Sequence, residues 1–100
     1  MLYIVNKQQY EVPVERVHAG LTVYDTWLRG LGRRPIDRRE RVNKVEAIAA
    51  LLAPRQYVEN GELKTDYYAP TRLFKVLLSE IGKRAKGRVK PKESLPLFGS

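Results

Sequence analysis

The sequence contains no cysteine. That excludes disulfides, thiolate nucleophiles and Cys-based zinc or iron–sulfur centres, and it is compatible with a reducing compartment. There is a single histidine, His18, beside Val17. A metal site made of several imidazoles is therefore excluded, and a lone histidine in this setting reads as a surface or half-buried residue. Neither a phosphate-cradling P-loop nor a Gly-x-Ser-x-Gly nucleophile motif occurs. No apolar run approaches the ~20 residues that span a bilayer. Met1 to Lys7 reads as a strand, lacking the basic leader and apolar core of a signal peptide. The expectation is a soluble cytoplasmic protein with no cofactor and no membrane contact. Acids are the scarce charge: 11 Asp and Glu stand against 19 Lys and Arg, a net charge of +8 in 100 residues. Such a surface attracts phosphate backbones through counterion release, and acidic proteins less specifically.

What is present is enough for one modest core. Hydrophobic residues make up 43% of the chain, near the globular norm, and the length suits one domain. Leu2 to Val5 and Tyr10 to Val14 are β-branched and aromatic, and the polar Asn6-Lys7-Gln8-Gln9 between them predicts a hairpin. Pro13 donates no amide, so the second strand is an edge or stops there. Val14 to Val17 fit either an extension of that strand or a short helical turn. Gly20 punctuates. Thr22 then caps a helix with Asp25 as its box partner, Val23, Trp27, Leu28 and Leu31 share a face, and Gly30 and Gly32 end it.

Arg33-Arg34-Pro35-Ile36 forms a basic linker. Asp37 caps the strongest helix in the chain, with Glu40 in the capping-box position. Val42, Val45, Ile48, Ala49 and Leu52 make its buried stripe, and Pro54 stops it. Asn60-Gly61 between two alternating runs is the type I′ hairpin signature. It sets Val58 opposite Leu63, and Glu59 opposite Glu62, where like charges need solvent or a nearby cation. Pro70 opens a last helix whose stripe is Leu73, Phe74, Leu77, Leu78 and Ile81, with Arg72, Lys75 and Ser79 outward. Gly82 is expected to break it. Six Lys or Arg follow within ten residues without an acid, which predicts an extended basic tail. The expected fold class is α+β: a compact domain over residues 1–82 with an N-terminal hairpin, three helices and a second hairpin before the last helix, then a disordered tail over 83–100.

The opening segment, Tyr3-Ile4-Val5-Asn6, Tyr10-Glu11-Val12-Pro13-Val14 and Gly20 to Arg29, resembles the ββα start of β-grasp proteins. The resemblance covers about 30 residues. It implies a local topology and no activity, because the cluster cysteines of the ferredoxin-like members and the Gly-Gly terminus of the sulfur carriers are missing.

Two basic clusters are candidate nucleic-acid contacts. The first is Arg29, Arg33, Arg34, Arg38, Arg39, Arg41 and Lys44, where guanidinium forks suit bidentate phosphate contact. Arginines at a helix N-terminus oppose its dipole, so an anionic ligand or neighbouring carboxylates must compensate. The second is Lys83, Arg84, Lys86, Arg88, Lys90 and Lys92. Both can equally be solvated, solubilising surface, and neither implies base readout. The order helix, helix, hairpin invites a winged-helix reading, in which the Arg-rich helix enters the major groove and the Asn60-Gly61 hairpin is the wing. The acids Glu59 and Glu62 at the wing tip and the short Thr22–Arg29 approach helix argue against it.

Ser94-Leu95-Pro96-Leu97-Phe98 resembles the peptide by which bacterial replication and repair proteins bind the sliding clamp. Leu95, Leu97 and Phe98 match its apolar anchors, and Ser94 stands where glutamine is usual. The resemblance implies a clamp or a similar protein as partner; a tail folded back on the domain is the simpler alternative. Glu62-Leu63-Lys64 matches the Glu-x-Lys element of Mg-dependent nucleases, with Asp37 or Glu46 as a further carboxylate. A three-residue match beside a tight turn is common by chance. The leading expectation is a non-enzymatic protein that contacts nucleic-acid phosphates, DNA ahead of RNA, of the size and style found on phages or plasmids. The alternative is an interaction module, an inhibitor or adaptor of host replication, transcription or defence machinery that engages an acidic host protein.

Overall fold

A computed structural model describes residues 1–89, with side chains through Lys86. Two antiparallel hairpins and three helices follow one another as hairpin, two helices, hairpin, helix. β1 (Leu2–Val5) and β2 (Gln8–Glu11) pair in the register Leu2 with Glu11 and Val5 with Gln8. The connection is a two-residue turn, Asn6-Lys7, with φ of 52° and 67°. This is shorter than the four-residue turn expected, and the second strand starts earlier and stops before Pro13. Positive φ at both central residues matches the right-handed twist of the strands, and asparagine tolerates it better than most residues. Tyr3, Val5 and Tyr10 face the core, while Leu2 and Ile4 stay exposed.

α1 spans Val14–Leu31 without interruption, so Thr22 is not a cap and Gly20 is not a break. The Thr22 hydroxyl donates to the His18 carbonyl at 2.9 Å, a mid-helix bond. The helix starts at Pro13, whose carbonyl accepts from the N–H of Arg16 at 3.0 Å, and ends at Gly32 with φ of 63°. Val17, Gly20, Leu21 and Tyr24 form its buried stripe, spaced i, i+3, i+4 and i+7. Gly20 is buried because Leu77 lies on it: a Cβ built there would stand 2.9 Å from both Leu77 Cδ atoms.

α2 (Arg38–Leu51) begins as expected, with the Glu40 N–H donating to Asp37 Oδ1 at 2.7 Å. The reciprocal half of the box is absent, since the Glu40 carboxylate accepts from Arg34 instead, at 2.5 Å. Val45, Ile48 and Ala49 are buried. The end of α2 is held from α1: Arg16 Nη1 donates to the carbonyls of Leu52 and Ala53.

β3 (Arg55–Glu59) and β4 (Glu62–Asp66) pair with Val58 opposite Leu63 and Glu59 opposite Glu62, in the register that Asn60-Gly61 specifies. The facing acids are relieved by Lys64, whose Nζ lies 2.8 Å from Glu59. The two hairpins form separate two-stranded sheets. The β-grasp resemblance therefore ends after its first three elements, because among the described residues no further strand joins β1 and β2.

α3 runs Ala69–Val89, so the expected break at Gly82 does not occur and the first part of the basic segment is helical. Leu73, Val76, Leu77 and Ile81 are buried, and Phe74 and Leu78 pack against them. Arg72, expected outward, is half-buried and paired with Asp66. Burial pushes the Asp66 carboxyl up, but the Arg72 hydrogen bond, the Tyr68 N–H and the Arg72 and Arg55 charges outweigh it and hold it below the ordinary carboxylate value. The core joins all three helices with Val12 and the inner face of the first hairpin. No helix among the described residues is long and apolar enough to cross a membrane.

Candidate nucleic-acid interface

The link between α1 and α2 and the first turn of α2 carry the first basic cluster. Arg29, Arg33, Arg34, Arg38 and Arg39 are exposed, and Arg41 and Lys44 are half-buried. Only Arg34 has an ion-pair partner here, Glu40. Among the described residues Arg33, Arg38, Arg39 and Arg41 have no carboxylate within ion-pair distance. The side-chain cap of Asp37 and the Glu40 carboxylate answer the helix dipole, yet three arginines at or within a turn of that end stay unneutralised.

The tail cluster divides. Lys83 pairs with Glu80 at 3.4 Å, and Lys86 is exposed. Arg84 reaches across to α1, where its Nη1 lies 3.2 Å from Asp25 Oδ2. Arg88 belongs to α3 by its backbone, its side chain lying outside the described residues. Lys90, Lys92 and the apolar Leu95, Leu97 and Phe98 also lie outside them.

Folding brings the two clusters together at one point. A pocket of about 210 Å³ between the three helices is lined by Arg41 from α2, Arg84 from α3, and Asp25 with Tyr24 and Leu28 from α1. Asp25 is the one carboxylate lining this pocket and is paired with Arg84, which leaves Arg41 without an ion-pair partner there. On another part of α2, an open depression of about 550 Å³ is lined by Arg34, Arg39 and Lys44 with Trp27 of α1. The Lys44 ammonium lies 5.8 Å from the Trp27 ring centroid, a cation–π contact. Tyr24 meets the same ring at 5.5 Å and a tilt of 52°. Helical spacing alone places Trp27 on the apolar face of α1 with Leu28 and Leu31 and says nothing of this depression. The signal available was a large aromatic two residues before the first arginine of a basic stretch.

The winged-helix geometry fares unevenly. α1, at 18 residues, is long enough to act as the supporting helix. The exposed positions of α2 beyond its first turn are Asn43, Glu46, Ala47, Ala50 and Leu51, which offer little to base edges or phosphates. Cations gather at the N-terminal end of α2 and not along its length. Glu62, Asp37 and Glu46 of the nuclease pattern are not gathered either: no group of three His, Asp or Glu able to hold a metal occurs among the described residues.

In comparisons with known proteins, no family model, no curated protein and no solved structure matches this chain.

Proposed function

We propose that the protein binds nucleic acid through its phosphate backbone. Arg33, Arg34, Arg38, Arg39 and Arg41 would be the rigid part of the contact, and Lys83, Arg84 and Lys86 of α3 would extend it. The observation that carries this reading is that Arg41 and Arg84 line one pocket whose single carboxylate, Asp25, is taken by Arg84, beside further arginines with no ion-pair partner. Unneutralised guanidinium groups held close together repel one another, and polyanion binding relieves that repulsion while releasing condensed counterions. Phosphate contacts of this kind fix position without reading sequence.

The test is a titration of labelled DNA and RNA at several salt concentrations. Affinity should fall linearly in log–log form, with a slope near −0.9 per phosphate contacted on a duplex and near −0.7 on a single strand. Replacing Arg38, Arg39 and Arg41 together by Gln should flatten that slope. Binding that ignores salt, or no binding at low salt, overturns the reading.

A second reading is supported by the second hairpin. Val58 and Leu63 are a facing cross-strand pair exposed at 69% and 68%, and Tyr67 and Tyr68 beyond them are exposed too. Exposed apolar patches of this kind mark protein contacts. An interaction module that adds this hairpin to its basic face would retain a stoichiometric protein partner after nuclease treatment and lose it with Val58→Ser and Leu63→Ser.

A further inference from the structure

We infer that the depression beside Trp27 is a base-stacking site, and that the preferred ligand is a single strand. This rests on the phosphate-binding reading and narrows it. A duplex keeps its bases stacked inside and offers only its backbone to a basic surface. A single strand offers both phosphates and unstacked bases, and proteins that prefer it combine cations with an accessible aromatic ring.

Trp27 meets that description. It is half-buried on the flank of α1, its inner side supported by the buried Tyr24, and it opens into the depression of about 550 Å³. Tyr24 holds the indole in place, so little side-chain freedom remains to be lost on binding. Arg39, Arg34 and Lys44 surround it, with Glu40 already engaged by Arg34 and Asp37 by the helix cap. Lys44 covers the ring in the absence of ligand. Its flexible stem lets the ammonium leave the ring for a neighbouring phosphate while a base takes its place. A stacked base is worth more than a partly exposed cation–π contact, and the ammonium gains a phosphate, so the exchange favours the bound strand.

Trp27 is the only tryptophan in the chain, so its emission reports on this site alone. The experiment follows that emission while the full chain is titrated with oligo(dT) and oligo(rU) of about 10 nucleotides, a duplex of equal length, and a nucleoside monophosphate. Anisotropy of labelled oligonucleotides is measured in parallel. Strong quenching by the single strands, little by the duplex and little by the mononucleotide at matched concentration is the expected result. Trp27→Ala should then weaken oligo(dT) binding about tenfold or more, while Trp27→Phe keeps most of it. Because Trp27 supports the core, Trp27→Ala is read only if its circular dichroism matches the parent; the emission titration of the parent decides by itself otherwise. Salt-sensitive anisotropy that is equal for duplex and single strand, without quenching, overturns the stacking site and leaves the phosphate-binding reading intact. Quenching by the mononucleotide alone overturns the strand in favour of a nucleotide pocket. Failure of every probe to bind overturns both readings.

Discussion

Leu77 of α3 closes directly over Gly20 of α1, so that a Cβ at position 20 would stand 2.9 Å from both of its Cδ atoms. Leu77 is 1% exposed, enclosed in the core by the three helices. The missing side chain therefore sets how closely α1 and α3 approach. Gly20→Val should destabilise the protein by about 1–3 kcal/mol, the usual cost of overpacking a core. Urea or thermal unfolding of the two proteins measures it.

Gly82 is the opposite case. It lies inside α3, and nothing comes within 4 Å of a Cβ added there. Glycine in a helix interior costs ~0.5–1 kcal/mol relative to alanine, so Gly82→Ala should stabilise by that amount. A rise in melting temperature with unchanged or greater helix content is expected. A fall would mean that the chain needs a non-helical conformation at Gly82.

Asp66 makes stability depend on acid. Its carboxyl is held below the ordinary value in the folded chain, although burial works the other way, because Arg72, the Tyr68 N–H and Arg55 favour the ionised form. The contribution is present above the unfolded carboxyl pKa of about 3.9 and is lost as pH falls through the lower folded value. Asp66→Asn should cost about 1 kcal/mol near neutral pH and nothing in strong acid. Paired unfolding curves across that range check both ends.

Asp25 neutralises Arg84, one of the cations proposed to meet phosphates, and is the one carboxylate that lines the pocket with Arg41 and Arg84. Asp25→Asn keeps shape and removes the charge. Nucleic-acid affinity should increase, with the salt slope steeper by up to about one contact. Unchanged affinity would take Arg41 and Arg84 out of the interface.

Local chemistry was enough for much of this protein. The Asn60-Gly61 turn with its register, the Asp37 cap, the start of the last helix to within one residue of Pro70 and the stripes of α2 and α3 were legible in the sequence because each depends on neighbours a few residues apart. φ preferences, missing amides and helical spacing act before any tertiary contact exists. The α+β order of elements follows from these signals.

Tertiary structure decided the rest. Gly20 and Gly82 both read locally as breaks, yet helix propensity is worth at most ~1 kcal/mol at such a position, less than burying the apolar stripes of α1 and α3 returns. Arg72 turned inward because folding set Asp66 beside it. The candidate site was legible only as two separate lists of cations. Which of them line one pocket with Asp25, which gather around Trp27, and which are already neutralised depended on contacts between residues up to 59 apart in the chain, such as Arg84 with Asp25. Spacing along the sequence cannot encode those, because the packing angle of three helices fixes them.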